Sequence, residues 1–387
     1  MNVFIASGER FHAFHLAKQL RMNNCLGKIF TMSSCEDDHK GLGITKISNF
    51  RFGIFLNYFY LKFRIYHLIN NSFWYLLKDN FFDKWLSSQL EKEEEIDIFI
   101  GWANHWLNSL DVLRKKEVKI ITECGSWHVI EQANILREEF YLHGIKHSPV
   151  DVKIIEKILK EYDAADYIMV PAKHVYNSFI RQNISPSKIL KVPYGVDFDK
   201  FYQLRQSINS KFKVIFVGQV SLQKGVHYLI KAWEKLNLPN DLAELLIVGP
   251  IQDCFHQVMK TKYLSDSVVF YGGLSQEKLK KLYLESSVFV LPSIHDGFGM
   301  VISEAMASGL PAICTVNTGG EELIENGKEG FILPIRDVDA LAEKILWCYE
   351  NREACFEMGL CAQKKIKNYT WDDYGDKIMK IYGEILK

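Results

Sequence analysis

The sequence predicts an α/β protein made of two doubly wound parallel sheets in tandem. Three observations predict it. Short apolar runs recur along the chain, many of them closed by glycine or proline, as strands buried on both faces are. Segments with helical apolar spacing separate them, which is the alternation of a parallel sheet rather than of a β-sandwich. The 387 residues exceed one ordinary core, and at roughly 100–200 residues per domain two domains are expected.

The first series opens with Asn2-Val3-Phe4-Ile5-Ala6 as a strand and Ser7-Gly8 as a turn. Phe11, Phe14, Leu16, Ala17 and Leu20 then recur at helical spacing. Further strands are read at 96–101, 118–122, 165–171 and 188–192. The second series begins at Lys213 with a strand over 214–217 that ends at Gly218, followed by a helix over 226–236. Strands follow at 244–248, closed by Gly249-Pro250, at 267–271, closed by Gly272-Gly273, and at 287–291, closed by Pro292. The last two are 312–315 and 330–333. Periodicity lapses over 199–211, the expected hinge, so the domains are read as 1–204 and 205–370. Residues 371–387 are amphipathic and are expected to pack back on the first domain.

Composition narrows the function. Lys+Arg and Asp+Glu balance at 47 each, so no basic field points to nucleic acid. The long charge-free run 305–320 is broken by glycines and a proline and is no membrane span. The N-terminus reaches Glu9 before any apolar run of signal length, and the eight cysteines form no Cys-x-x-Cys pair. A cytoplasmic protein with reduced thiols is expected. His12 and His15, and His143 and His147, could share helix faces, but further ligands are missing and no metal site is expected. No phosphate loop of the Gly-Lys-Ser/Thr type occurs, and Ser7-Gly8-Glu9-Arg10 falls short of the dinucleotide fingerprint. Ser126 lacks the flanking pattern of a nucleophile elbow. The stretch that opens at His39 and ends at Lys78 has no Asp or Glu; it carries Lys40, Lys46, Arg51, Lys62 and Arg64 among many aromatic rings. Either these rings pack core helices with the bases as a solvated face, or they form a surface for anionic membrane on its inner face.

The strongest constellation is SVFVLPSIHDGFGMVISEAMASGLP, residues 287–311. A strand ends at Pro292, the loop His295-Asp296-Gly297-Phe298-Gly299 follows, and a helix runs from near Met300 to a Gly309 stop with Pro311 beyond it. Glycines let the backbone approach a ligand, and a helix start offers free N–H groups and partial positive charge. Asp296 in the loop and Glu304 one turn inside the helix are suited to grip vicinal hydroxyls. The ordinary alternatives are an Asx turn for Asp296 and a solvated helix carboxylate for Glu304.

Asp296 and Glu304 with seven residues between them resemble the E-x7-E signature of family-four retaining glycosyltransferases. Pro193-Tyr194-Gly195-Val196-Asp197 with Phe201 is similar to that family's interdomain segment, and Phe216-Val217-Gly218-Gln219 with Lys224-Gly225 to its donor-diphosphate strand and basic pair. Ala6-Ser7-Gly8-Glu9-Arg10-Phe11-His12 resembles its first glycine loop, Gly125-Ser126-Trp127-His128 a segment with a sugar-contacting histidine, and Tyr369-Thr370-Trp371 the start of its terminal helix.

The resemblance covers essentially the whole chain. It implies two Rossmann-like domains facing across a cleft, and transfer of a sugar from a nucleoside diphosphate sugar to a glycan or lipid-linked acceptor, with no cofactor or metal required. It implies Glu304 at the ribose, Asp296 and His128 at the donor sugar, and Lys224 with Gly218 and Gln219 at the diphosphate. Gly297, Phe298 and Gly299 would present N–H groups, and Gly8 would crowd the diphosphate from the other domain. The chain departs from the pattern with Asp296 in place of Glu and Gln219 in place of Arg, so one charge-assisted bond becomes a weaker neutral one. A non-catalytic nucleotide-sugar-binding protein, or an epimerase or phosphorylase on the same fold, is the alternative. Gly8 as a turn glycine, His128 as a satisfied polar residue and Lys224 as a surface lysine are the corresponding ordinary roles.

Overall fold

The computed structural model describes the chain except residues 11, 34–35, 44–45, 54, 56–61, 63–70, 147, 206 and 260–263. Among the described residues the first sheet contains β1 (Val3–Ser7), β2 (Leu26–Thr31), β3 (Ile47–Asn49), β4 (Ile98–Trp102), β5 (Lys119–Glu123), β6 (Tyr167–Val170) and β7 (Ile189–Lys191). Its order is β3-β2-β1-β4-β5-β6-β7, all parallel. The second sheet contains β8 (Phe212–Val217), β9 (Ala243–Val248), β10 (Val268–Gly272), β11 (Val288–Leu291), β12 (Ala312–Thr315) and β13 (Gly330–Leu333). Its order is β10-β9-β8-β11-β12-β13, again parallel.

The strands read as continuous apolar runs because both faces of each sheet are covered. In β1, Val3 and Ile5 pack into one core with Leu16 and Leu20 of the helix Ala13–Met22. Phe4 and Ala6 pack into the other, with Phe82, Leu86 and Leu90 of the helix Asn71–Leu90. Strand order reverses between β1 and β4 and again between β8 and β11. Such reversals open a crevice at the C-terminal strand ends, where ligands of doubly wound sheets bind.

Two strands escaped the sequence reading. In β2, Gly27 and Lys28 interrupt the apolar run, and Gly27 is there because a Cβ would run into the ring of Phe4. β3 is three residues on the sheet edge, too short for a period-2 pattern.

The expected hinge is held from Arg205 on. This buried guanidinium donates to the carbonyls of Gly309 at 2.8 Å and Ser286 at 2.7 Å. The closing helix Trp371–Ile385 starts with a capping box between Thr370 and Asp373. It lies against Ala13–Met22, with Gln19 donating to Asp372 at 2.8 Å and the rings of His15 and Trp371 stacked at 4.1 Å.

Much of the acid-free stretch 39–78, Arg64 included, lies outside the described residues. Of the rest, Phe50 and Trp74 are buried, Phe52, Phe55 and Tyr75 are exposed, and Lys78 is buried against Glu9 at 2.7 Å. Among the described residues no helix is long and apolar enough to cross a membrane.

Candidate active site

The C-terminal ends of the two sheets share a cavity of about 480 Å³. The second sheet's side contributes Gly218, Lys224, Asp296, Phe298 and Gly299; the first contributes Trp102, Glu123, Trp127 and Tyr194. Two glycines make this possible. Gly225 has φ +66° and opens the helix Val226–Leu236, where a Cβ would run into the carbonyl of Pro292. Gly297 leaves no room for a Cβ either, because the carbonyl of Gly125 from the other sheet's side sits against it.

Lys224 Nζ lies 2.6 Å from Asp296 Oδ2, with both side chains largely buried. Burial pushes the Asp296 carboxyl up, but Lys224, with smaller help from His295 and the Gly297 N–H, holds the group below the ordinary carboxylate range. His174, in the helix Lys173–Arg181, binds the Asp296 carbonyl through Nε2 at 2.9 Å, tying the loop to the first sheet's side. Burial lowers His295 to about 3, so its ring is neutral. Gln223 can only donate to its Nδ1, at 3.3 Å, which leaves the proton on Nε2, 3.1 Å from Ser126 Oγ. The loop 295–299 is thus fixed from both sides.

The other sequence-derived residues are distributed unevenly. Glu304, on the helix Met300–Ala307, lines a neighbouring cavity of about 120 Å³ with Asp197, Lys200 and Trp371; Met300 is a wall of both cavities. Burial raises its carboxyl to about 7, with Lys200 lowering it and Asp197 raising it. Gln219 follows Gly218 but is exposed and does not line the cavity.

His128 does not line the main cavity, as the sequence reading expected of a sugar contact. Its Nδ1 caps the helix Val129–Leu142 by accepting from the Ile130 N–H at 3.4 Å, and its ring packs on Tyr162 and Phe179. Burial lowers it to about 4. Gly8 is not on the cavity wall either: a Cβ there would collide with the ring of His105, so its smallness serves that packing.

Sequence reasoning missed three residues of the wall. His12 Nε2 and the Tyr194 hydroxyl both lie 2.9 Å from Glu123 Oε1, and all three line the cavity. A glutamate ending the apolar run of β5 was the one available signal. Among the described residues, Glu139, His143 and His227 form a group with metal-ligand spacing. Arg336 already neutralises Glu139 there, at 2.7 Å, and the cluster reads as an ionic tie between the two sheets' layers.

Residues 199–365 match the family model described as glycosyl transferases group 1. An uncharacterized glycosyltransferase, MJ1607 of Methanocaldococcus jannaschii, is 30% identical over 44% of this chain and 44% of its own. The amylovoran biosynthesis glycosyltransferase AmsK of Erwinia amylovora is 26% identical over 70% of this chain and 66% of its own. The chain thus spans about half to two thirds of these relatives. The crystal structure of HepE of Anabaena in complex with UDP and glucose superposes with a TM-score of 0.70 at 15% identity, covering 99% of this chain and 100% of that one. That likeness bears on the fold, which is the B-type glycosyltransferase architecture of two facing parallel sheets. Residues 199–365 thus resemble the group 1 glycosyl transferases, and over its whole length the chain carries the two-sheet fold of the B-type glycosyltransferases.

Proposed function

We propose that the protein is a retaining glycosyltransferase that moves a sugar from a nucleoside diphosphate sugar to an acceptor hydroxyl in polysaccharide, glycan or glycolipid synthesis. The observation that carries this is the buried pair Lys224–Asp296 on the wall of a cavity shared by two sheets, beside the start of the helix Met300–Ala307. A cation, a carboxylate and the N–H groups of a helix start converge there, which suits a ligand with a diphosphate at one end and hydroxyls at the other.

In this reading 205–370 holds the donor, and 1–204 with the closing helix faces the acceptor. The diphosphate draws Lys224 away from Asp296, with Gly218, Gln219 and the N–H groups of Gly297, Phe298 and Gly299 around it. Asp296 then accepts from sugar hydroxyls and Glu304 from the ribose. Positive charge for the leaving diphosphate comes from Lys224 and the helix start, so no metal is assigned a part. His128 and Gly8 act through packing, given their contacts with Tyr162 and His105. The acceptor is a glycan or a lipid-linked sugar, and residues 39–78 on an anionic inner membrane face would bring a lipid-linked one near. AmsK, named for amylovoran biosynthesis, supports the polysaccharide setting.

A thermal-shift panel of UDP-, GDP- and ADP-sugars tests the donor. A ligand at 100 times its Kd adds about 2.7 kcal/mol of stability. One class of nucleotide sugar should raise Tm; a panel in which none does would overturn the reading.

A further inference from the structure

This inference rests on the reading above and concerns how the first sheet's side of the cavity would recognise its sugar. Gln132 stands near the start of the helix Val129–Leu142, is half-buried and lines the cavity together with Trp102, Trp127 and Tyr194. A chain of hydrogen bonds reaches it from the second sheet's side. Gln223 Nε2 faces the His295 carbonyl at 3.4 Å and His295 Nδ1 at 3.3 Å. His295 Nε2 lies 3.1 Å from Ser126 Oγ, which lies 3.3 Å from Gln132 Oε1. The first two members of this chain directly precede Lys224 and Asp296 in the sequence.

The direction of each bond follows from what each group can do. A carbonyl oxygen only accepts, so the Gln223 atom facing it is the amide nitrogen. That nitrogen only donates, so His295 Nδ1 accepts and the ring carries its hydrogen on Nε2. Nε2 donates to Ser126 Oγ, and the Ser126 hydrogen is left to donate to Gln132 Oε1. Turning the Gln132 amide round would leave that hydrogen without an acceptor among the described residues. Gln132 therefore keeps Oε1 occupied, and its NH₂ group has no partner among the described residues.

We propose that Gln132 is a specificity-determining residue for the acceptor, its NH₂ group donating to a hydroxyl oxygen of an acceptor sugar that lies against Trp102 and Trp127. Sugars present an apolar C–H face and a rim of hydroxyls, and aromatic walls with an oriented donor match both. Such a site rejects the analogue that lacks the matching hydroxyl, because the donor is then left unpaired in a half-buried place. The same chain ties the loop that carries Asp296 to the wall that carries Gln132, so the donor and acceptor sugars are held in one register.

The test uses UDP-glucose, UDP-N-acetylglucosamine and GDP-mannose as donors. It compares kcat/KM for octyl glycosides of glucose, galactose, mannose and N-acetylglucosamine, and for the deoxy analogues of whichever is glycosylated. Apart from the analogue that lacks the attacked hydroxyl, at least one deoxy analogue should lose about 3- to 10-fold against its parent in the wild-type protein, as one neutral hydrogen bond is lost. Gln132→Met keeps the bulk and removes the amide. In this variant that analogue and its parent should react alike, while the Kd of the donor stays within about twofold. A role in packing alone would slow parent and analogue by the same factor and leave their ratio in place. Indifference of the wild-type protein to every such analogue, a ratio unchanged in Gln132→Met, or a donor Kd outside that range overturns this inference and leaves the proposed function standing. If Gln132→Met fails to fold, as read by Tm, Ser126→Ala decides: it releases the amide from its fixed orientation, so the ratio should shrink, and an unchanged ratio overturns the inference. Donor hydrolysis without transfer to any glycoside also overturns it. A wild-type protein that binds and turns over none of the donors overturns the proposed function and this inference with it.

Discussion

Glu304 offers a prediction whose size follows from its surroundings. Burial raises its carboxyl from 4.5 to about 7, Lys200 draws it back and Asp197 adds to the rise. The folded-state value lies above the unfolded one, so the folded protein holds this proton more tightly. The stability this confers is fully present below about pH 4.5 and is lost as pH rises through about 7. A rise of this size corresponds to about 3 kcal/mol between the two limits, as an order of magnitude. Glu304→Gln imitates the protonated form at every pH. Wild type and variant should therefore unfold at nearly equal urea concentration at pH 4.5, with the variant more stable by about 3 kcal/mol at pH 8. Glu161 is also raised to about 7 by burial, but it is common to both proteins and cancels in the difference. If ribose hydroxyls donate to Glu304, the nucleoside diphosphate binds the ionised form. Binding then releases a proton between about pH 6 and 7, read as a buffer-dependent enthalpy that the variant lacks. A stability difference that does not change with pH would refute the burial argument, and equal nucleotide affinity in the two proteins would refute the ribose role.

Asp296→Asn should spare nucleoside diphosphate binding and reduce sugar transfer on the order of a hundredfold, because a misplaced sugar loses alignment; equal loss of both, by calorimetry and turnover, would move the carboxylate off the sugar. Lys224→Ala leaves Asp296 buried without its cation and should cost about 3 kcal/mol in urea unfolding above pH 5. Asp296 is held below its ordinary value, so this loss should shrink as pH falls through that value; an acid-insensitive loss would contradict the pair. Gln219→Arg adds a charge beside Lys224 and should tighten diphosphate binding at low salt, with the gain fading as salt rises; unchanged affinity would mean another base already fills that place.

Legibility followed from how local each cause is. β12 and β13 coincide with the apolar runs at 312–315 and 330–333 because helices bury both faces, so the signal is in the run itself. β2 was hidden because Gly27 answers to the ring of Phe4 in a neighbouring strand, and no pattern along 26–31 contains that reason. The site divides the same way. Lys224, Asp296 and Glu304 announce themselves through glycines and a helix start close by in the chain. Glu123 meets His12 across 111 positions and Tyr194 across 71, contacts made by strand order rather than by spacing. The packing of His128 was hidden for a related reason: its ring has Tyr162 and Phe179 to pack on and an N–H to cap, and only the folded neighbourhood reveals them.

The central claim is sugar transfer from a nucleoside diphosphate sugar across the cavity between the two sheets. The most direct measurement follows the donor and product anomeric protons by NMR. The protein is incubated with the nucleotide sugar that raises its Tm and a panel of octyl glycosides. The account predicts accumulation of free nucleoside diphosphate together with a new glycoside whose anomeric configuration equals that of the donor. An inverted anomer would contradict retention. A donor that is bound but left intact, or returned as its epimer, would contradict the transferase itself.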